Sequence, residues 1–194
     1  MSINLNDDSY NIKEGVAIFN SGTAGISENV TLSVEKRKAD DKDTAPDYKL
    51  MFTDETGATC NTAFWHITKD TQYDTIDEQT VKKGKVFKHL IHAMYGADFQ
   101  IPNFKDAEEM LNGTMKLLRE GSASAGKFRI FANYGTSSKP RAYIQPRSWV
   151  PFIEPMTVDI DNTRLIKGDF DAMERLQADK PTMASTSDNG DDEW

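Results

Sequence analysis

The sequence predicts an α+β fold that is mainly β, a small five-stranded barrel interrupted by an inserted helical segment. Two observations predict it. Apolar and polar residues alternate with a period of two in residues 28–35 and 48–53 and again in 127–134 and 141–145, which is typical of half-buried strands. Between these stretches, in residues 86–120, the apolar spacing lengthens to that of a helix.

The first strands are predicted in residues 28–35 and 48–53. Their apolar sides are formed by Val30, Leu32 and Val34 and by Tyr48, Leu50 and Phe52. The intervening KRKADDKDTAPD (36–47) lacks a large apolar residue, so a long, disordered hairpin loop is expected there. A turn at 54–57 and a return strand at 63–68 complete a predicted meander.

Two helices are predicted next. The first covers residues 86–95 and stops at Gly96, and one of its faces carries Val86, Phe87, Leu90, Ile91, Met94 and Tyr95. The second covers residues 104–120 with Asn103 as its N-cap. Acidic residues in its first turn suit the positive end of the helix dipole.

Strands resume at 127–134 and 141–145, followed by an extended piece at 149–153 and a short helix at 169–177. Strands divided by helices fit the OB-fold, although an α+β sandwich would give the same order. We therefore predict one OB-fold-like domain over residues 1–179. Residues 180–194 are rich in turn-forming and acidic residues, so a disordered tail is expected.

The charge distribution is uneven along the chain. The net charge of -8 is the sum of -8 in residues 1–78, +7 in 79–148, -1 in 149–167 and -6 in 168–194. A basic centre between acidic ends favours an anionic partner for the centre. The alternative is that these charges intermix in space.

Residues 127–149 carry the predicted DNA-binding face. If the two strands pair, alternation brings together the cations and rings of Lys127, Arg129, Phe131, Arg141 and Tyr143, and Arg147 and Trp149 follow directly. Cations neutralise phosphates, while rings stack on unpaired bases at about 1–3 kcal/mol each. The alternative is an ordinary hairpin with a solvated outer face.

A second basic run contains Lys82, Lys83 and Lys85, with Lys88 beyond them. It lies at the entry of the first predicted helix, where the helix dipole does not favour positive charge. This misfit favours a role of the lysines in contacting phosphates. The alternative is that the four lysines lie in a solvated loop.

The tail ends in an acidic aromatic peptide formed by Asp188, Asp191, Asp192, Glu193 and Trp194. An exposed indole gains nothing by itself, so we expect it to insert into a basic, apolar pocket of a partner. It could also lie in the chain's own DNA site. The alternative is a chance acidic terminus that aids solubility.

The ending DNGDDEW and the strand–helix–strand order resemble bacteriophage single-stranded-DNA-binding proteins, as do GISENVTLSVEKRK and YKLMFTDETGATCNTAFWHI. Those families usually end in Phe, whereas this chain ends in Trp194. The resemblance implies an OB-fold that coats DNA during phage replication or recombination, in the cytoplasm of an infected bacterium. It also implies a tail that recruits replication proteins such as a polymerase or a helicase/primase.

Other chemistries receive less support. Cys60, His66, His89 and His92 do not have a standard zinc spacing, and there is no nucleophile or phosphate-loop signature. We therefore expect no enzyme activity, no metal, no cofactor and no membrane segment. The competing functions are a virion or assembly-scaffold protein and a metal-dependent nuclease. Self-association of the chain into a homo-oligomer is a further alternative.

Overall fold

The computed structural model describes residues 17–38, 41–42 and 44–176. The chain forms, in order, β1 (Gly25–Lys36), β2 (Tyr48–Thr53), β3 (Thr59–Phe64), α1 (Ile76–Tyr95), α2 (Ala107–Ser122), β4 (Phe128–Thr136), β5 (Lys139–Pro146) and β6 (Ile153–Pro155). The antiparallel sheet has the order β3-β2-β1-β4-β5, and β6 also pairs with β4. The α+β class is confirmed. The sheet has six strands rather than five, and it is open because no ladder among the described residues joins β3 to β5.

The meander of β1, β2 and β3 is confirmed, including burial of the predicted apolar side: Val30, Leu50 and Phe52 are fully buried. The return strand, predicted at 63–68, begins earlier, at Thr59. The reason lies in the turn before it, where the Asp54 carboxylate accepts hydrogen bonds from the backbone N–H groups of Thr56 and Ala58. This turn reverses the chain within a few residues, so pairing with β2 resumes at once.

Both helices are confirmed, but their starts differ from the prediction. α1 begins at Ile76, ten residues before the predicted start, because Thr75 and Glu78 form a reciprocal capping box. Residues 76–85 have few apolar side chains, so the apolar period misses these turns. α2 begins at Ala107 because Asp106, rather than Asn103, accepts the capping hydrogen bond from the backbone N–H of Glu109.

β4 is the central strand and is buried on both faces from Phe128 to Gly135. One edge pairs with β1, while β5 and β6 share the other edge. The short helix predicted at 169–177 is wrong for the described residues up to 176. Instead, Asp171 forms an isolated bridge with Thr136, and Ala172 exchanges backbone hydrogen bonds with Tyr134 and Gly135.

The core lies between the sheet and the two helices. Phe64 of β3 packs on Phe87 of α1, with ring centroids 5.3 Å apart, and Phe52 meets Phe152 at 6.4 Å. Leu90, Leu111, Met115 and Leu118 complete the buried helix faces. Across the part of the chain that the structure describes, no helix has the length and apolar character needed to cross a membrane. The outward faces of β3 and β5 are left open to solvent.

Candidate nucleic-acid interface

A groove runs along the outward faces of β3 and β5. Its middle is a cavity of about 500 Å³ between residues 59–63 and residues 141–146. A second cavity of about 570 Å³ adjoins it at Ala63 and Trp65 and reaches α1. A third, of about 550 Å³, adjoins it at Thr59 and Tyr143. We call these three cavities together the β3–β5 groove.

The groove is cationic in a chain whose net charge is -8. No carboxylate occurs among the described residues that line it, whereas six cations do: Lys82, Lys83, Lys85, Arg141, Arg147 and Arg175. Clefts lined by one sign of charge concentrate ligands of the opposite sign. The groove is therefore suited to a polyanion.

Three aromatic side chains are accessible from the groove. Trp65 is 48 % exposed and Tyr143 is 58 % exposed, while Trp149 is partly buried. Trp149 and Tyr143 were predicted from the sequence, but Trp65 was not. The signal for Trp65 was present: continuing the period-two alternation through Asn61 and Ala63 places it on the outward side of β3.

The basic run lies within α1 rather than at its entry, because the helix begins at Ile76. Lys82 is paired with Asp74 at 2.5 Å, and Lys83 donates to the Trp65 carbonyl at 2.5 Å. Burial lowers the pKa of Lys83, against the opposing effect of Asp47. Lys85 is exposed and has no partner among the described residues. All three side chains line the groove.

Arg141 and Tyr143 share the outward face of β5, as predicted. The Arg141 guanidinium donates a hydrogen bond to the Tyr143 hydroxyl, and its Cζ lies 5.6 Å from the ring centroid. Both side chains are exposed. A phosphate and an unpaired base could therefore contact this pair side by side.

The predicted exposure of Arg129 and Phe131 is wrong. Arg129 is 4 % exposed and forms ion pairs at 2.9 Å with both Glu28 and Glu154. Phe131 is also buried. The physical reason is that residues 147–172 fold over this face of β4. The alternation within a strand does not report such contacts with residues distant in the chain. Neither side chain lines the groove.

Arg147 is also buried, although it lies in the groove wall. Its guanidinium binds both carboxylate oxygens of Asp171, at 2.6 and 3.0 Å. It also donates to the carbonyls of Pro151 and Ile166. The Cζ atom lies 3.8 Å from the Phe131 ring centroid and 5.5 Å from that of Trp149. Arg147 therefore holds the wall that carries Trp149.

Lys127 lies apart from the groove. Its ammonium is 3.5 Å from a carboxylate oxygen of Glu55, in the turn between β2 and β3. The tail residues Asp188, Asp191, Asp192, Glu193 and Trp194 lie outside the described residues. Of the predicted set, the groove thus brings together Lys82, Lys83, Lys85, Arg141, Tyr143, Arg147 and Trp149.

The four residues weighed as zinc ligands are not brought together. In residues 17–38, 41–42 and 44–176, no group of three His, Cys, Asp or Glu side chains is placed to hold a metal ion. Burial raises the pKa of the Cys60 thiol. His66 Nδ1 lies 3.0 Å from Asp47, and His89 faces the backbone of β6.

His89 links α1 to the start of β6. Its Nε2 accepts hydrogen bonds from the backbone N–H groups of Phe152, at 3.1 Å, and Ile153, at 3.3 Å. Burial lowers the pKa of His89 to about 4, and the charges of Arg164 and His92 act in the same direction against Glu154. The ring is therefore neutral at pH 7.

This geometry predicts a pH-dependent stability. Between pH 6.5 and 4 the unfolded chain binds a proton at His89 that the folded chain excludes, so stability is lost as the pH falls through this range. We expect a loss of about 2 kcal/mol, less than the full shift implies because solvent screens the partly buried ring. Urea unfolding at pH 7 and pH 4 measures it. His89→Gln, which keeps an acceptor, should remove this part of the pH dependence; an equal pH dependence in the variant would contradict the assignment.

Comparison of the chain with protein-family models, curated proteins and solved structures finds no match. The functional argument therefore rests on the β3–β5 groove itself.

Proposed function

We propose that the chain binds single-stranded DNA in the β3–β5 groove without catalysing a reaction. The observation that carries the proposal is the lining: accessible indole and phenol rings interleaved with cations, without a carboxylate among the described residues. Cations contact phosphates, and rings stack on bases. In a duplex the base faces are already stacked, so the rings favour an unpaired strand.

The arrangement of strands supports an OB-fold-like architecture for this site. β1 pairs with both β2 and β4, the helices follow β3, and β5 follows β4. Cα atoms of β3 and β5 approach within 8 Å of each other although no ladder joins them. A partly open five-stranded barrel requires such an approach of its edge strands, so we propose that β1 to β5 form one, with β6 as an addition.

The cellular role follows from the proposed binding and from the resemblance of the sequence to phage proteins. We propose that the chain covers single strands exposed during phage DNA replication or recombination in an infected bacterium. The acidic tail ending in Trp194 would recruit replication proteins, because an acidic peptide with one large ring fits a basic, apolar pocket.

The test is a titration of labelled single strand and duplex at several salt concentrations. We expect preferential binding of the single strand and a steep loss of affinity with salt. The double variant Lys85→Gln/Arg141→Gln removes two exposed groove cations. It should lower the slope of log affinity against log salt by about 0.7 per cation. Its matched control, Lys105→Gln/Lys116→Gln, removes the same charge outside the groove.

Equal affinity for duplex and single strand would contradict the proposal. So would an equal change of slope in the two double variants, because the effect would then come from net charge alone. Stable large assemblies that form without DNA and ignore single strands would favour the scaffold function instead.

A further inference from the structure

A cavity that is separate from the β3–β5 groove lies between α1, α2 and the segment that connects them. Its volume is about 500 Å³, within the range of small-molecule sites. We call it the helix cavity. Among the described residues, none that lines it also lines the groove. Its walls are mainly apolar and include Phe87, Ile91, Ile101, Phe104 and Met110.

Two glycines inside the helices shape this space. Gly84 of α1 lines the cavity, and a Cβ there would lie 3.7 Å from Met110 Sδ, an ordinary contact. Gly113 of α2 lies against the Phe104 ring, which would be 2.4 Å from a Cβ at that position. Because residue 113 has no side chain, Phe104 packs directly on α2 and forms a wall of the cavity. The absence of a side chain at Gly84 leaves the space between the walls unfilled.

Polar groups without partners lie among these apolar walls. Thr114 is 0 % exposed, and its hydroxyl has no hydrogen-bond partner among the described residues. Burial of such a hydroxyl is costly, so a ligand atom that bonds to it is favoured. Lys88 is exposed and has no ion-pair partner in the part of the chain that the structure describes, and His92 follows one turn later. The described residues that line the cavity include no carboxylate.

We propose that the helix cavity binds a small organic acid whose apolar body carries a second polar atom. The carboxylate pairs with Lys88, the body packs on the apolar walls, and the polar atom bonds to the Thr114 hydroxyl. An anion suits a site that holds a cation and no carboxylate, whereas an amine would meet the like charge of Lys88. Binding here does not depend on single-strand binding in the β3–β5 groove, so either can hold without the other.

The test is an NMR titration of the backbone amides of the full chain with para-hydroxyphenylpropionate. Its amide analogue lacks the charge, and phenylpropionate lacks the hydroxyl. We expect the acid to bind about 3-fold or more tighter than either analogue. Lys88→Gln should remove the preference over the amide, and Thr114→Val, which keeps the shape of the side chain, should remove the preference over phenylpropionate. Gly84→Leu, which fills the space beside Met110, should weaken binding of all three ligands.

The matched control is Lys85→Gln/Arg141→Gln, which removes cations of the groove alone and should change neither preference. Shifts that map to the groove rather than to residues 97–104 would overturn the inference, as would the absence of saturable shifts at about 20 mM ligand. Equal binding of the acid and its amide by the wild-type protein would overturn it too. A folded Thr114→Val variant that keeps both preferences would show that the hydroxyl does not contact the ligand. Because Lys88 is exposed, its variant tests the inference even where Thr114→Val does not fold.

Discussion

Replacement of Trp65 and Trp149 together by alanine is expected to weaken single-strand binding about 100- to 1,000-fold. Each indole faces the groove, and loss of a stacked ring costs about 1–3 kcal/mol, so a combined loss of about 3–4 kcal/mol corresponds to this range. Fluorescence anisotropy of a labelled strand measures the affinity. It avoids the intrinsic fluorescence of the protein, to which Trp194 also contributes.

The controls separate stacking from folding. Phenylalanine at the same two positions keeps a flat ring and should retain most of the affinity. Tyr73→Ala removes an aromatic ring that is 84 % exposed outside the groove, and it should have no effect. An alanine double variant that unfolds like wild type but binds as tightly would show that the groove is not the stacking site.

The largest effect on stability is expected from Asp171→Ala, a loss of about 3–5 kcal/mol. Asp171 is fully buried in its ion pair with Arg147, and its carboxylate also accepts from Asn133 and from the backbone N–H of Gly168. Removal of the carboxylate leaves a buried guanidinium without its counter-charge. Urea unfolding measures the loss, and Asp169→Ala, an exposed carboxylate two residues earlier, should change the free energy of unfolding by less than about 0.5 kcal/mol.

A double-mutant cycle tests the cause. Arg147→Met/Asp171→Ala removes both charges, and its loss of stability should be smaller than the sum of the two single losses. The 2.6 Å contact between the two side chains predicts this coupling. If the two single losses simply add, the residues act independently and the prediction is wrong.

The elements that the sequence predicted well are those whose partners are close in the chain. β1 and β2 form a hairpin in which Lys36 faces Tyr48, so the alternation of each strand reports directly which side is buried. The helix stripes around Leu90 and Met115 are likewise repeated within single helices. The predictions for Arg129 and Phe131 failed because β4 is central and residues 147–172 cover its second face, which contacts Glu154 and Asp171.

By itself, the sequence determined the α+β class, the meander, the two helices, and a basic–aromatic chemistry between residues 82 and 149. These properties follow from local periodicity and composition. Only the tertiary structure decided which cations are available to a ligand. Arg129 and Arg147 are buried in ion pairs with carboxylates of the chain itself, whereas Lys85 and Arg141 remain exposed. It also brought Trp65 to Trp149 across the groove, because a strand end and a distant loop meet only once the sheet has formed.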